Sequence, residues 1–156
     1  MTGRIERRLR ELNIVLPTPA PPVGSYVPFM ILHDLVTVSG QLPLIDGKVP
    51  DIWTGKVAGR VNTMEAPRAA RQCFINLLAQ VKAAIKDLDK VVQVVRLAGY
   101  VAAGPDFIEH HKVMNGASDL AVEVFGEAGR HTRTTIGASA LPFDAAVEVE
   151  GTFRFH

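Results

Sequence analysis

The stretch "GRHTRTTIGASALPFDAAVEVE", residues 129–150, reads as two β-strands around a proline turn. A turn centred on Pro142-Phe143 predicts a hairpin that sets Thr135 opposite Glu150 and Arg133 opposite Thr152. Side chains alternate faces along a strand, so Arg133, Thr135, Glu148 and Glu150 would share one face. Arg133 and Glu150 would then be diagonal neighbours. A guanidinium is a rigid fork of donors suited to a carboxylate or a phosphate, and a glutamate beside it can order it or activate water. The same pattern also fits a plain cross-strand ion pair on a solvated face. Register decides between the two, because a slip of one residue separates the pair.

Just before this stretch, residues 105–129 ("PDFIEHHKVMNGASDLAVEVFGEAG") read as a helix loosened near Asn115-Gly116 and ended by Gly126 and Gly129. "VVQVVRLAGYVAA", from Val91, is rich in β-branched residues and predicts a strand. Residues 64–88 carry the clearest helix, with Ala70, Cys73, Phe74, Leu77, Leu78, Val81, Ile85 and Leu88 recurring at spacings of three and four. Asn62 and Thr63 stand where a cap is needed, and Pro67 falls in the first turn, where it is tolerated. "IDGKVPDIWTG" contains an Asp-Gly pair that favours a tight turn. Strands are expected at about 27–32 and 35–39, with His33-Asp34 at the turn. "PTPAPPVGSYVP" holds five prolines and predicts an extended segment. Ile5, Leu9 and Leu12 form one apolar stripe on a short basic helix, expected to lie against the body.

The order is β-β-α-β-α-β-β behind an N-terminal helix: an α+β fold, with helices on one face of the sheet. One domain spans 1–156, with the amphipathic helix at 1–12 and the core at 13–156. A Val- and Leu-rich sheet with helices for one face predicts oligomerisation through the other.

Composition narrows the function classes. Hydrophobic residues make up 47% of the 156 and charged residues 21%, a globular balance. Four arginines lie in residues 1–12, and the remaining chain carries 13 basic and 14 acidic residues, so the body is no obvious polyanion binder and any nucleic-acid contact would rest on the N-terminal arm, which no aromatics or second basic patch support. A single cysteine, Cys73, sits on the apolar stripe and points to a core role in a reducing, cytoplasmic setting. No stretch is apolar enough to span a membrane, and nothing resembles a signal peptide. His110 and His111 are adjacent on a helix and diverge, with no second ligand pair, so no metal site is expected. No glycine-rich phosphate loop follows a strand. Ser39, at a strand end, either touches a ligand or closes a turn. Tyr26 either lids a pocket or packs at an edge. His131, two residues before Arg133, either tunes a pocket or lies at the surface or an interface.

The pieces "GSYVPF", "VSGQLPL", "AARQCFINLLAQV", "VVRLAGYVAAGPDF" and the stretch 129–150 together resemble the YjgF-like family of reactive-intermediate imine/enamine deaminases, often labelled "endoribonuclease L-PSP". "HHKVMNGASDLAVEVFGEAGRHTRTTIG" is similar to a longer-chain subgroup, and the resemblance runs from about residue 12 to 154. It implies a chorismate-mutase-like fold and a homotrimer with clefts between subunits. It also implies cofactor-free hydrolysis of species such as 2-aminoacrylate to a 2-oxo acid and ammonia. By motif, Arg133 matches the carboxylate-binding arginine, Glu150 the acidic residue, Ser39 the strand-end serine and Tyr26 the tyrosine. Asn115 stands for the family asparagine, and Thr135 replaces the cysteine two residues beyond the arginine. Arg133 would hold the substrate carboxylate while Glu150 serves as general acid or orients water. Two alternatives use the same residues or the family label: a non-catalytic carboxylate-binding or interaction protein, and a ribonuclease. The near-neutral body and the lack of a stacking platform argue against the latter.

Overall fold

The computed structural model describes residues 2–156. Eight main elements follow in order: α1 (Arg4–Glu11), β1 (Phe29–Leu32), β2 (Leu35–Gln41), α2 (Ala66–Ile85), β3 (Val91–Ala102), α3 (His110–Phe125), β4 (Thr132–Ala138) and β5 (Val147–Phe155). The strands form one sheet in the order β1-β2-β5-β3-β4. Every neighbouring pair is antiparallel except β3 and β4, which run parallel. Helices α2 and α3 pack on one face.

The expected hairpin of residues 129–150 does not form. β4 pairs with β3, setting Arg133 beside Leu97 and Thr135 beside Gly99. β5 pairs with β3 and β2, setting Glu150 beside Ala98 and Thr152 beside Arg96 and Thr37. Thr135 is therefore not opposite Glu150, nor Arg133 opposite Thr152. The physical reason is β3, a long apolar strand that takes a partner on each side and so stands between β4 and β5. Eight residues, 139–146, connect them, more than a tight hairpin needs. That connection crosses the end of β3, where the Ala102 N–H donates to the Ala146 carbonyl at 2.9 Å and the Ala146 N–H to the Trp53 carbonyl at 3.0 Å. The proline turn is where the sequence places it, as a short 3-10 turn at Pro142–Asp144 with Phe143 in the left-handed region. It turns the chain across a strand and not back along one.

α2 buries the stripe that its spacing predicts: Ala70, Cys73, Phe74, Leu77, Leu78 and Val81 are fully buried. Each large side chain so buried contributes about 1.5–3 kcal/mol, and Phe74 meets Phe153 of β5 at 6.2 Å between ring centres. Neither Asn62 nor Thr63 caps the helix with its side chain. The Asn62 side chain instead accepts the Met64 N–H at 2.7 Å, while its carbonyl accepts those of Glu65 and Ala66. Pro67 lies in the first turn as expected.

α3 is also corrected: it runs unbroken from His110 to Phe125, through Asn115-Gly116. Gly116 marks where α3 crosses the first turn of α2. A β-carbon there would lie 2.6 Å from the carbonyl carbon of Pro67 and nearer still to its oxygen. Packing, not helix weakness, calls for that glycine. α1 lies against the body through Ile5 and Leu9. The Asp89 carboxylate accepts the backbone N–H groups of Arg4 and Ile5, both at 2.7 Å, capping the helix from a distant turn.

The Asp46-Gly47 turn forms as expected, both residues at positive φ between the bridged Ile45 and Lys48. Alternation leaves Met30, Leu32 and Ile136 on the sheet face away from the helices, each more than half exposed. Among the described residues no helix is long and apolar enough to cross a membrane.

Candidate functional site

Parallel pairing with β3 turns Arg133 toward the helix layer. Its neighbour Leu97 is fully buried on that side. The guanidinium lies along α3, with Nη1 donating to Asn115 Oδ1 at 2.8 Å and to Ser118 Oγ at 3.1 Å, and Nη2 to the His111 carbonyl at 3.0 Å. Residues 111, 115 and 118 fall at i, i+4 and i+7, one face of the helix. All three acceptors are neutral, and none of the ion pairs among the described residues involves Arg133. Three N–H groups are used, so Nε–H and one Nη2–H remain. Those two donors remain for an anionic ligand such as a carboxylate.

Thr135 stands two residues farther along the same face. Its hydroxyl is buried and has no hydrogen-bond partner among the described residues. Leaving such a group unpaired costs about 1–3 kcal/mol. Beyond it, a β-carbon at Gly137 would lie 2.7 Å from His110 Nε2, so the His110 ring covers that end. The His110–His111 pair thus contributes a ring at one end and a backbone carbonyl at the arginine. On the other side of Arg133, His131 Nε2 lies 2.8 Å from Ser118 Oγ, and His131 Nδ1 lies 2.6 Å from the Gly129 carbonyl.

Glu150 lies elsewhere. It shares the face of Ala98 and Tyr100, opposite to Arg133 and two strands away, about 10 Å in the sheet. The diagonal Arg133–Glu150 pairing expected from a hairpin is therefore absent, and helix α3 orders the arginine instead. The Glu150 carboxylate accepts the Tyr100 hydroxyl. That bond, followed by burial, raises the Tyr100 pKa above its ordinary value. Glu148 is half-buried beside Gly40, where a β-carbon would lie 2.9 Å from its Cδ. Burial first, and the charge of Glu150 second, hold the Glu148 pKa above the ordinary carboxylate value.

Ser39 and Tyr26 form a third group. Ser39 Oγ donates to the Val27 carbonyl at 2.7 Å, tying the end of β2 to the segment that carries Tyr26. Tyr26 is half exposed, and its hydroxyl accepts the Val23 N–H at 3.3 Å. One chain thus brings Arg133, Asn115 and Thr135 together and holds Glu150, Ser39 and Tyr26 apart from them. A groove of about 870 Å³ between Pro17–Val23, the Asp46–Asp51 turn and Phe143 touches none of the six. Sequence reading missed Ser118, Tyr100 and the site role of Glu148. The signal for Ser118 was present: His111, Asn115 and Ser118 fall at i, i+4 and i+7 and so make one polar stripe along the helix. Cys73 is buried in the core as expected, which raises its thiol pKa well above the ordinary value.

Comparison with known proteins adds an independent line. The family model described as "YjgF/chorismate mutase-like, putative endoribonuclease" matches residues 6–150. Protein TCP17 of Trypanosoma cruzi is 43% identical over 150 residues, covering 96% of this chain and 92% of that protein. The crystal structure of Atu1372, a protein of unknown function from Agrobacterium tumefaciens, is 47% identical with a TM-score of 0.90, covering 97% of this chain and 92% of that one. The crystal structure of a "putative endoribonuclease" from Shewanella oneidensis is 33% identical with a TM-score of 0.93, covering 98% and 100%. A mixed sheet with helices on one face and a matching family model over most of the chain lead to one conclusion: this protein belongs to the YjgF/chorismate mutase-like family.

Proposed function

We propose that the protein hydrolyses small carboxylate-bearing imines and enamines, of the 2-aminoacrylate kind, to 2-oxo acids and ammonia without a cofactor. The observation that carries this reading is Arg133: a guanidinium fixed by three neutral acceptors, its charge uncompensated and two of its five N–H groups uncommitted. A substrate carboxylate completes it. Thr135, whose buried hydroxyl has no partner among the described residues, lies two residues along the same face.

The site is completed between subunits of a homotrimer. Arg133 faces the helices from the edge strand β4, while Glu150, Ser39 and Tyr26 belong to the other face and the far end of β1 and β2. A small ligand cannot span those groups within one chain. Packing the uncovered sheet face, with Met30, Leu32 and Ile136, against further copies brings one subunit's arginine toward another's acids.

The chemistry then asks little. An enamine gains a proton on carbon to become a protonated imine. Water adds to the imine carbon, the C–N bond breaks and ammonia leaves. Glu148, which keeps its proton to higher pH, suits the donor step. Glu150, held as an acceptor by Tyr100, suits orientation of water. The enzyme contributes placement and charge stabilisation.

The test generates 2-aminoacrylate in situ from serine with a pyridoxal-phosphate dehydratase and follows loss of the intermediate. Faster loss than in buffer, abolished in Arg133→Ala, is expected. An unchanged rate combined with saturable binding of 2-oxo acids would replace catalysis by carboxylate binding.

A further inference from the structure

Ser118 and His131 take no part in the steps above, yet they sit against the arginine. Their hydrogen bonds can run in only one direction. The Gly129 carbonyl can only accept, so His131 Nδ1 at 2.6 Å carries a proton. In a neutral imidazole Nε2 is then an acceptor, and the Ser118 hydroxyl at 2.8 Å donates to it. Arg133 can only donate, and Ser118 Oγ receives its Nη1–H at 3.1 Å. The result is a relay from Arg133 through Ser118 and His131 to the Gly129 carbonyl.

We propose that Ser118 and His131 are positioning residues for Arg133, whose relay fixes the edge of the guanidinium that meets ligand. With both Nη1 protons committed, to Asn115 and Ser118, the fork cannot swivel without breaking a bond. The relay requires a neutral imidazole. An imidazolium would turn two donors onto the Ser118 oxygen and place a second cation beside Arg133. The surroundings disfavour that form. The charged group facing His131 is Arg133 on β4, α3 presents neutral Ser118, and the 126–129 turn presents the Gly129 carbonyl. Glu127 and Arg130 on that turn pair with each other at 3.1 Å. Burial first, and the Arg133 charge opposing the carbonyl bond, hold the imidazole pKa below its ordinary value.

The purpose assigned to the relay rests on the carboxylate reading, but its geometry does not, and the experiment separates them. Nitrogen-15 NMR of histidine-labelled full-length protein at neutral pH is expected to show His131 as the Nδ1–H tautomer. Ser118→Ala should mix the two tautomers, and Ser118→Thr, which keeps a hydroxyl, should restore the parent signature. Calorimetry with pyruvate should show binding weakened about 5–10-fold in Ser118→Ala, as loss of one ordinary hydrogen bond predicts. An Nε2–H tautomer, an imidazolium at neutral pH, or a tautomer indifferent to Ser118→Ala overturns the relay. A parent protein with the expected tautomer but no pyruvate binding overturns the carboxylate reading and leaves the relay standing.

Discussion

Replacing Gly116 by alanine puts two effects of opposite sign in competition. Gly116 lies in the middle of α3, with ordinary helical backbone. Helix propensity alone predicts that Gly116→Ala stabilises the protein by about 1 kcal/mol. Packing predicts the reverse. The new methyl would sit 2.6 Å from the Pro67 carbonyl carbon and 3.0 Å from its Cα. Ordinary van der Waals contact begins near 3.5 Å, and the obstacle is backbone, which cannot rotate aside. The helices must separate by roughly an ångström at their crossing. Overpacking of this kind costs about 1–3 kcal/mol, and a clash with rigid backbone belongs at the upper end. The net expectation is a loss of about 2 kcal/mol, or roughly 4–8 °C in Tm for a domain of this size. Thermal and urea melts by circular dichroism at fixed protein concentration measure it. Gly104→Ala serves as control, since no atom lies within 4 Å of a β-carbon there. A Gly116→Ala protein as stable as its parent, or more so, refutes the tight crossing of α2 and α3.

Four further outcomes are expected. Arg133→Ala should weaken pyruvate binding by about 10–100-fold, the value of a charge-assisted hydrogen bond, and Arg133→Lys should fall between, keeping charge without the fork; calorimetry decides. Glu148 has a folded-state pKa above its ordinary value, so its stabilising, protonated form is lost as pH rises through that pKa. Glu148→Gln should therefore become progressively more stable than the parent from about pH 4.5 toward neutrality, as read from urea midpoints. Asp89→Ala should uncap α1 and cost about 0.5–2 kcal/mol. Sedimentation equilibrium should return three times the 16.9 kDa chain mass, and a monomer would undo the composite site.

The helices and the long strand β3 were legible because their signals are local. Seven apolar residues at three-four spacing leave α2 little choice, and the β-branched run of β3 is as plain. Strand pairing was not legible. Alternation around Pro142 announces two strands and a turn but carries no record of which strand lies between them. The same blindness moved Glu150 to the wrong side of Arg133. Asn115-Gly116 misled in the other direction: intrinsic propensity argues for a break, and the neighbour that overrides it, Pro67, is 49 positions away in sequence. Arg133 and Asn115 stand 18 positions apart, and their hydrogen bond depends on β4 lying beside α3. Ser118 went unassigned because its place on the stripe of His111 and Asn115 does not say which strand that stripe faces.

The position of β5 bears on how the chain acquires its shape. It is the last strand in sequence, yet it occupies the middle of the sheet, between β2 and β3. The chain ahead of β5 supplies β1-β2 on one side and β3-β4 on the other, with no strand pairing between the two pairs. Two inner edges, bearing Val36, Val38, Leu97 and Val101, then wait for a strand not yet made. Unpaired apolar edges are where nascent chains find wrong partners. Closure of this sheet therefore depends on β5, the strand that joins the two pairs. A lesion near Phe153, fully buried in a strand paired on both sides, is therefore expected to disable the fold more thoroughly than one of equal size in the edge strand β1.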